Sequence, residues 1–171
     1  GTLEIVFAAH GKGTAWLSRL HRHDTVDIVG PLGRPFALPK EPVSCVLVAG
    51  GYGSAPMFML ADQLRARARR VDVVLGAATE TKPFGVRDAQ RLPASLGEKG
   101  RVTDVLPKVL ARTDADVVYA CGPMAMLQAV AKVASAHGAY SQCAVEEAMA
   151  CGIGICMTCV LPVIGDGGVT R

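Results

Sequence analysis

Residues 43–143 predict an α/β fold, a doubly wound parallel sheet with helices on both faces. Three observations predict it. Short apolar runs recur without polar alternation, as strands covered on both faces require. Each run alternates with a helical pattern along the chain. Two of the runs end in turns rich in glycine or proline that open helices, at the strand ends where such sheets bind ligands.

The elements follow in order. Leu3 to Ala9 reads as a strand, and His10-Gly11-Lys12-Gly13-Thr14 as a turn. Thr14 is placed to cap a short helix through Leu17 and Leu20. Thr25 to Val29 reads as another strand. Four of the ten prolines then fall between Pro31 and Pro42, which marks a stiff connection and a domain boundary. Val43 to Ala49 is apolar apart from Ser44 and makes a buried strand. Gly50-Gly51-Tyr52-Gly53-Ser54-Ala55-Pro56 turns it into a helix whose Met57, Leu60, Ala61, Leu64 and Ala68 form one stripe. Arg65, Arg67, Arg69 and Arg70 give that helix end a solvated, favourably charged face.

Val71 to Ala77 is a second strand of this region and residues 85–92 a short helix. Val102 to Val105 reads as a short strand, with a helix from Val105 to Arg112. Asp116 to Cys121 is the next strand. Gly122-Pro123 opens a helix to about His137, with proline at the first helical position, where its missing N–H goes unneeded. Tyr140 to Cys143 is the last strand.

Composition narrows the function. Half the residues are hydrophobic and 19% charged, enough for a buried core. A net charge of +3 without an aromatic-rich basic stripe gives no nucleic-acid reading. No apolar run has the length of a membrane span, and the first residues lack a signal-peptide pattern. Six cysteines in that setting point to a reducing cytoplasm and to metal or redox use. His10, His21, His23 and His137 have neither metal nor triad spacing, so no side chain is assigned as catalytic acid or base.

The strongest chemical signal lies at 151–159, Cys-Gly-Ile-Gly-Ile-Cys-Met-Thr-Cys. Cys151, Cys156 and Cys159 have the C-x4-C-x2-C spacing of a plant-type 2Fe–2S site. A loop that wraps a small inorganic core must bring its backbone close and aim N–H groups at sulfur. Gly152 and Gly154 suit this because they accept positive φ. Zinc sites usually pair two short cysteine knuckles, and one is present here. Such a cluster needs four ligands. Cys45 and Cys121 lie in apolar strands and Cys143 precedes the motif, so the fourth is expected beyond Arg171. The glycine turns at Gly50, Gly51, Gly53 and Ser54 and at Cys121, Gly122 and Pro123 together favour a nucleotide site, because free N–H groups at helix starts attract phosphate.

Five stretches together resemble the iron–sulfur electron-transfer subunits of NAD-dependent dihydroorotate dehydrogenases, within the ferredoxin–NADP reductase superfamily. They are His10 to Thr14, Gly30 to Gly33, Gly50 to Pro56, Cys121 to Pro123, and Glu146 to Gly152 with the cysteines after it. The resemblance implies three parts. Residues 1–40 would be the end of a flavin-binding β-barrel, 41–143 the nicotinamide-nucleotide domain and 144–171 the start of a truncated 2Fe–2S loop domain. It implies that Gly13 and Thr14 touch FAD, that Cys121 lies near the nicotinamide–flavin contact, and that Cys151, Cys156 and Cys159 hold the cluster. The barrel strands with the family's Arg-Pro-hydrophobic-Ser flavin motif lie outside these residues.

The function so implied is electron transfer between a 2Fe–2S cluster, FAD and NAD, serving oxidation of dihydroorotate to orotate in pyrimidine biosynthesis. The implied partner is a flavin-containing catalytic subunit in a hetero-oligomer. Met149, Ile153, Ile155, Met157 and Val160 surround the cluster loop, and about half of them are expected to form an exposed docking surface. Glu80, after the second strand of the nucleotide domain, would favour NAD over NADP by accepting a bond from the ribose hydroxyl. Two other readings stand beside this one: a reductase subunit of a hydrogenase or ferredoxin–NAD(P) system, and a zinc-stabilised, non-enzymatic binding module.

Overall fold

The computed structural model describes residues 2–77, 94–95, 100–165 and 168–170. They form two compact units, Pro35–Glu146 in one and Gly1–Arg34 with Glu147–Arg171 in the other.

The first unit is built on a parallel sheet. Its strands are β1 (Ser44–Gly50), β2 (Arg70–Gly76), β3 (Ala94–Ser95), β4 (Val117–Cys121) and β5 (Tyr140–Ala144), in the order β3-β2-β1-β4-β5. Every pairing is parallel. The strand order reverses at β1 and β4, neighbours in which Ala49 lies beside Cys121. That reversal leaves a crevice at the strands' carboxyl ends, the usual ligand site of an open α/β sheet.

Both faces of the sheet are covered, which is why its central strand has no polar alternation. Cys45, Leu47 and Ala49 pack toward α2 (Ser54–Arg65), against Met57, Leu60, Ala61 and Leu64. Val46 and Val48 pack on the opposite side with residues of α3 (Val102–Thr113) and α4 (Met124–Ala136). In α3 the buried positions Val102, Leu106, Val109, Leu110 and Thr113 form one helical stripe.

Polar ties close the sheet's margins. Asp72, only 1% exposed, pairs with Arg70 on its own strand and with Arg112 of α3, 3.2 Å away. Buried carboxylates need such partners, because leaving water unpaired is costly. Near the start of this unit, Phe36 meets the Tyr119 ring edge-on with centroids 5.4 Å apart. Tyr119 donates to the Ala37 carbonyl at 2.9 Å. The Gln142 amide brackets the same residue, accepting from Ala37 N at 2.9 Å and donating to its carbonyl at 3.0 Å. Burial first, then Cys45, pushes the Tyr119 phenol up to about 12, so it stays a donor at any ordinary pH.

The second unit holds α1 (Lys12–Leu17) and a hairpin of β6 (Val163–Gly165) with β7 (Gly168–Thr170). Three expectations are corrected here and in α3. Leu3 to Ala9 and Thr25 to Val29 form no strand. Their alternation is real, but Leu3, Ile5, Val26, Ile28 and Val29 are exposed, and a strand needs a neighbour to complete its ladder. Val102 to Val105 is not a strand but the first turn of α3, which runs unbroken through Pro107. The side chain of Asp104 reaches back to accept from Arg101 N at 2.7 Å and fixes that start. The helix expected at 85–92 lies outside the described residues.

Candidate functional site

Two places gather the functional side chains, one in each unit. In the first unit the two predicted turns meet. Gly50 ends β1, Gly51–Gly53 makes a single 3-10 turn, and Ser54 starts α2. Gly51 takes φ +57, which a side chain would disfavour. Ser54 is buried and donates to the Gly51 carbonyl at 2.8 Å.

Cys121-Gly122-Pro123 closes over this turn from β4. A Cβ on Gly53 would collide with the Cys121 carbonyl. One on Gly122 would come within 3.2 Å of the Gly50 backbone. Glycine is thus required by close approach of two backbones, not only by turn geometry. Pro123 caps α4 one residue before its first helical position, and its carbonyl accepts from Met126 N at 2.9 Å and Leu127 N at 3.1 Å.

A cleft of about 670 Å³ opens beside these turns, a size suited to a cofactor. Gly50, Gly51 and Pro123 line it, together with Gly76, Ala77, Arg101 and Met126. Gly53, Ser54, Cys121 and Gly122 shape the turns without lining the cleft. Sequence reasoning missed Gly76, Arg101 and Met126. The available signal was Gly76 at the end of a strand next to β1, where a Cβ would strike Val102 of α3. Arg101 is the one charged group among the described lining residues. Cys121 is 6% exposed, and burial, aided by Glu146, holds its thiol above the usual range and protonated. Glu80 lies outside the described residues.

In the second unit Gly13 and Thr14 sit in α1. Thr14 does not occupy the cap itself. Its hydroxyl reaches back from inside the first turn, accepting from His10 N at 3.0 Å and Gly11 N at 3.1 Å. A Cβ at Gly13 would meet nothing within 4 Å, so that backbone is open to a neighbour.

The cysteine loop has the backbone its sequence demands. Gly152 and Gly154 take φ +68 and +78, and Met157 follows at +61. Amides of Cys156, Ile153 and Ile155 converge on the Cys151 sulfur, which pulls its thiol down to about 6. The Cys156 side chain reaches the same sulfur. Cys156 is itself lowered, first by the Thr158 hydroxyl, which stands 3.0 Å from its Sγ, then by the Thr158 amide. Cys159 is exposed and does not join them. Among the described residues no group of three or more His, Cys, Asp or Glu is gathered tightly enough to hold a metal ion. The loop nonetheless fits a cluster by its chemistry: soft thiol donors, two of them in contact, with backbone N–H groups bonded to both sulfurs. Met149, Ile153, Ile155 and Met157 are each at least 60% exposed, and Val160 is partly buried.

Comparison with known proteins gives this geometry its context. The profile of the family described as iron-sulfur cluster binding domain of dihydroorotate dehydrogenase B matches residues 146–171. The chain is 40% identical to the dihydroorotate dehydrogenase B (NAD(+)) electron transfer subunit of Bacillus caldolyticus, over 97% of this chain and 67% of that protein. It is 35% identical to the corresponding Listeria welshimeri subunit, over 96% of this chain and 67% of that one. Among solved structures, an NADH-dependent reduced ferredoxin-NADP oxidoreductase matches with a TM-score of 0.70 at 27% identity, over 96% of this chain and 60% of that one.

Proposed function

The chain belongs to the family of dihydroorotate dehydrogenase B (NAD(+)) electron transfer subunits, and on that premise we propose that it carries electrons between a 2Fe–2S cluster, FAD and NAD while dihydroorotate is oxidised to orotate. The observation that carries the proposal is the loop at 151–159, whose amides converge on the Cys151 sulfur. That arrangement stabilises a charged thiolate set and answers no need of a merely structural cysteine.

Cys151, Cys156 and Cys159 hold the cluster. The cleft beside Gly50, Gly51 and Pro123 takes the dinucleotide, with turn amides and Arg101 facing its phosphates. Cys121, protonated and neutral, stands at the end of β4 and shapes the dinucleotide turn from behind. Gly13 and Thr14 offer the flavin an open backbone and a hydroxyl already anchored. Bound flavin supplies the conversion between two-electron exchange with nicotinamide and one-electron exchange with the cluster. The protein's part is binding, orientation and the choice of potential.

The partner is a flavin-containing catalytic subunit, docked on the exposed apolar residues around the cluster loop. Apolar surface in a contiguous patch on a water-facing protein marks a contact, and Ile155, 73% exposed, is the most open of these side chains. The complex works in the cytoplasm. None of the six cysteines is paired in a disulfide, as a reducing compartment favours. No described helix is long and apolar enough to cross a membrane.

The test is to co-express the chain, at the full length of its relatives, with the catalytic subunit and assay NAD reduction by dihydroorotate. NAD reduction that requires both subunits is expected. A stable complex without it, combined with turnover of a ferredoxin or hydrogenase couple, would transfer the protein to that system.

A further inference from the structure

We infer that Thr158 sets the electron affinity of the cluster, by donating a hydrogen bond from its hydroxyl to the Cys156 sulfur. The inference rests on the cluster reading above and adds to it the residue that tunes the reduction potential. Thr158 Oγ1 lies 3.0 Å from Cys156 Sγ. The Thr158 amide is aimed at the same sulfur. The turn that brings both donors back runs through Met157, a non-glycine residue at φ +61.

Chemistry fixes the direction of this bond once the site is loaded. A ligating cysteine has lost its proton, so the sulfur can only accept and the hydroxyl must donate. The other donors around Cys151 and Cys156 are backbone amides, apart from the Cys156 thiol itself. A ligating Cys156 loses that proton. Thr158 is then the one side-chain donor among the described residues on either sulfur, and the one that a substitution can remove cleanly.

Reduction adds a negative charge that spreads onto the ligand sulfurs. A donor aimed at one of them stabilises the reduced form more than the oxidised form and raises the potential. Thr158→Val keeps the shape and the amide and removes the hydroxyl. It should lower the reduced-to-oxidised ratio at a fixed applied potential about tenfold, which is about 59 mV for a one-electron couple. Thr158→Ser keeps the donor and should titrate with the parent.

The experiment is an anaerobic redox titration of the reconstituted parent, T158V, T158S and T158A, followed by electron paramagnetic resonance, with iron and acid-labile sulfide measured on each. A lowered midpoint in T158V and T158A, with T158S unmoved and equal iron in all four, supports the inference. Equal midpoints in T158V and the parent, or equal shifts in T158V and T158S, overturn it. Loss of iron from T158V and T158A with retention in T158S also overturns it, since the hydroxyl would then serve assembly. A parent that contains no iron or sulfide would instead sink the cluster reading itself.

Discussion

Cys156→Ser should empty the loop of iron. In a polypeptide of the relatives' full length, iron and acid-labile sulfide per chain fall at least about tenfold, because a serine hydroxyl is a harder and far less acidic ligand than a thiol. Cys143→Ser is the control. Its thiol is partly buried, points to the Leu127 carbonyl at 3.9 Å, and lies in the other unit. Iron content there stays at the parent level. Cys121→Ser likewise keeps its iron, whatever it does to nucleotide turnover, since its place is at the end of β4. Iron analysis beside an activity assay thus separates the two sites. Equal iron in Cys156→Ser and the parent would remove Cys156 from the ligand set.

Tyr119→Ala should be the most damaging single change to the nucleotide unit. The side chain is fully buried, the largest such side chain described, and it packs against Phe36 while holding the Ala37 carbonyl. Truncating a buried aromatic costs about 3–5 kcal/mol, a large part of the ~5–15 kcal/mol that keeps a domain folded. Tyr119→Phe should cost about 1 kcal/mol, because only the hydroxyl is lost and the Ala37 carbonyl keeps its bond from Gln142 at 3.0 Å. Denaturant unfolding of the two variants measures both numbers. Similar losses in the two would mean that the hydroxyl, not the ring, carries the contact.

The sheet was readable from the sequence because its strands are buried on both faces. Ser44–Gly50 and Val117–Cys121 are apolar runs too long for a turn and too short for a helix; the first ends in Gly50 and Gly122 follows the second. The stripe Met57, Leu60, Ala61, Leu64 needed no tertiary knowledge either. Where reading failed, the cause was physical in each case. Val102 and Val105 are β-branched and look strand-like in a short window. The burial stripe and the Asp104 cap outweigh that local preference. The segment from Leu3 to Ala9 has strand alternation but no partner strand among the described residues, and pairing is a property of two segments that one window cannot supply.

The sites divide in the same way. The cysteine spacing and its glycines announced a loop with positive φ, and Gly152 and Gly154 take it. The contact of Gly53 with the Cys121 carbonyl, by contrast, joins residues far apart in sequence and depends on β1 and β4 lying side by side. Arg101 entered the cleft through the placement of α3, which the sequence reading had split in two. The β6–β7 hairpin was also missed, although Asp166-Gly167 between Val163-Ile164-Gly165 and Gly168-Val169-Thr170 is a two-residue hairpin signal.

The most direct measurement is an anaerobic titration of the protein, at its relatives' full length and supplied with FAD, by NADH, followed by electron paramagnetic resonance and metal analysis. Electron transfer from nicotinamide through flavin to a cluster held by Cys151, Cys156 and Cys159 predicts iron and acid-labile sulfide in equal amounts, and a reduced-cluster signal that grows with added NADH and disappears in Cys156→Ser. Zinc in the cysteine loop with no iron or sulfide, and no signal at any NADH concentration, would contradict it.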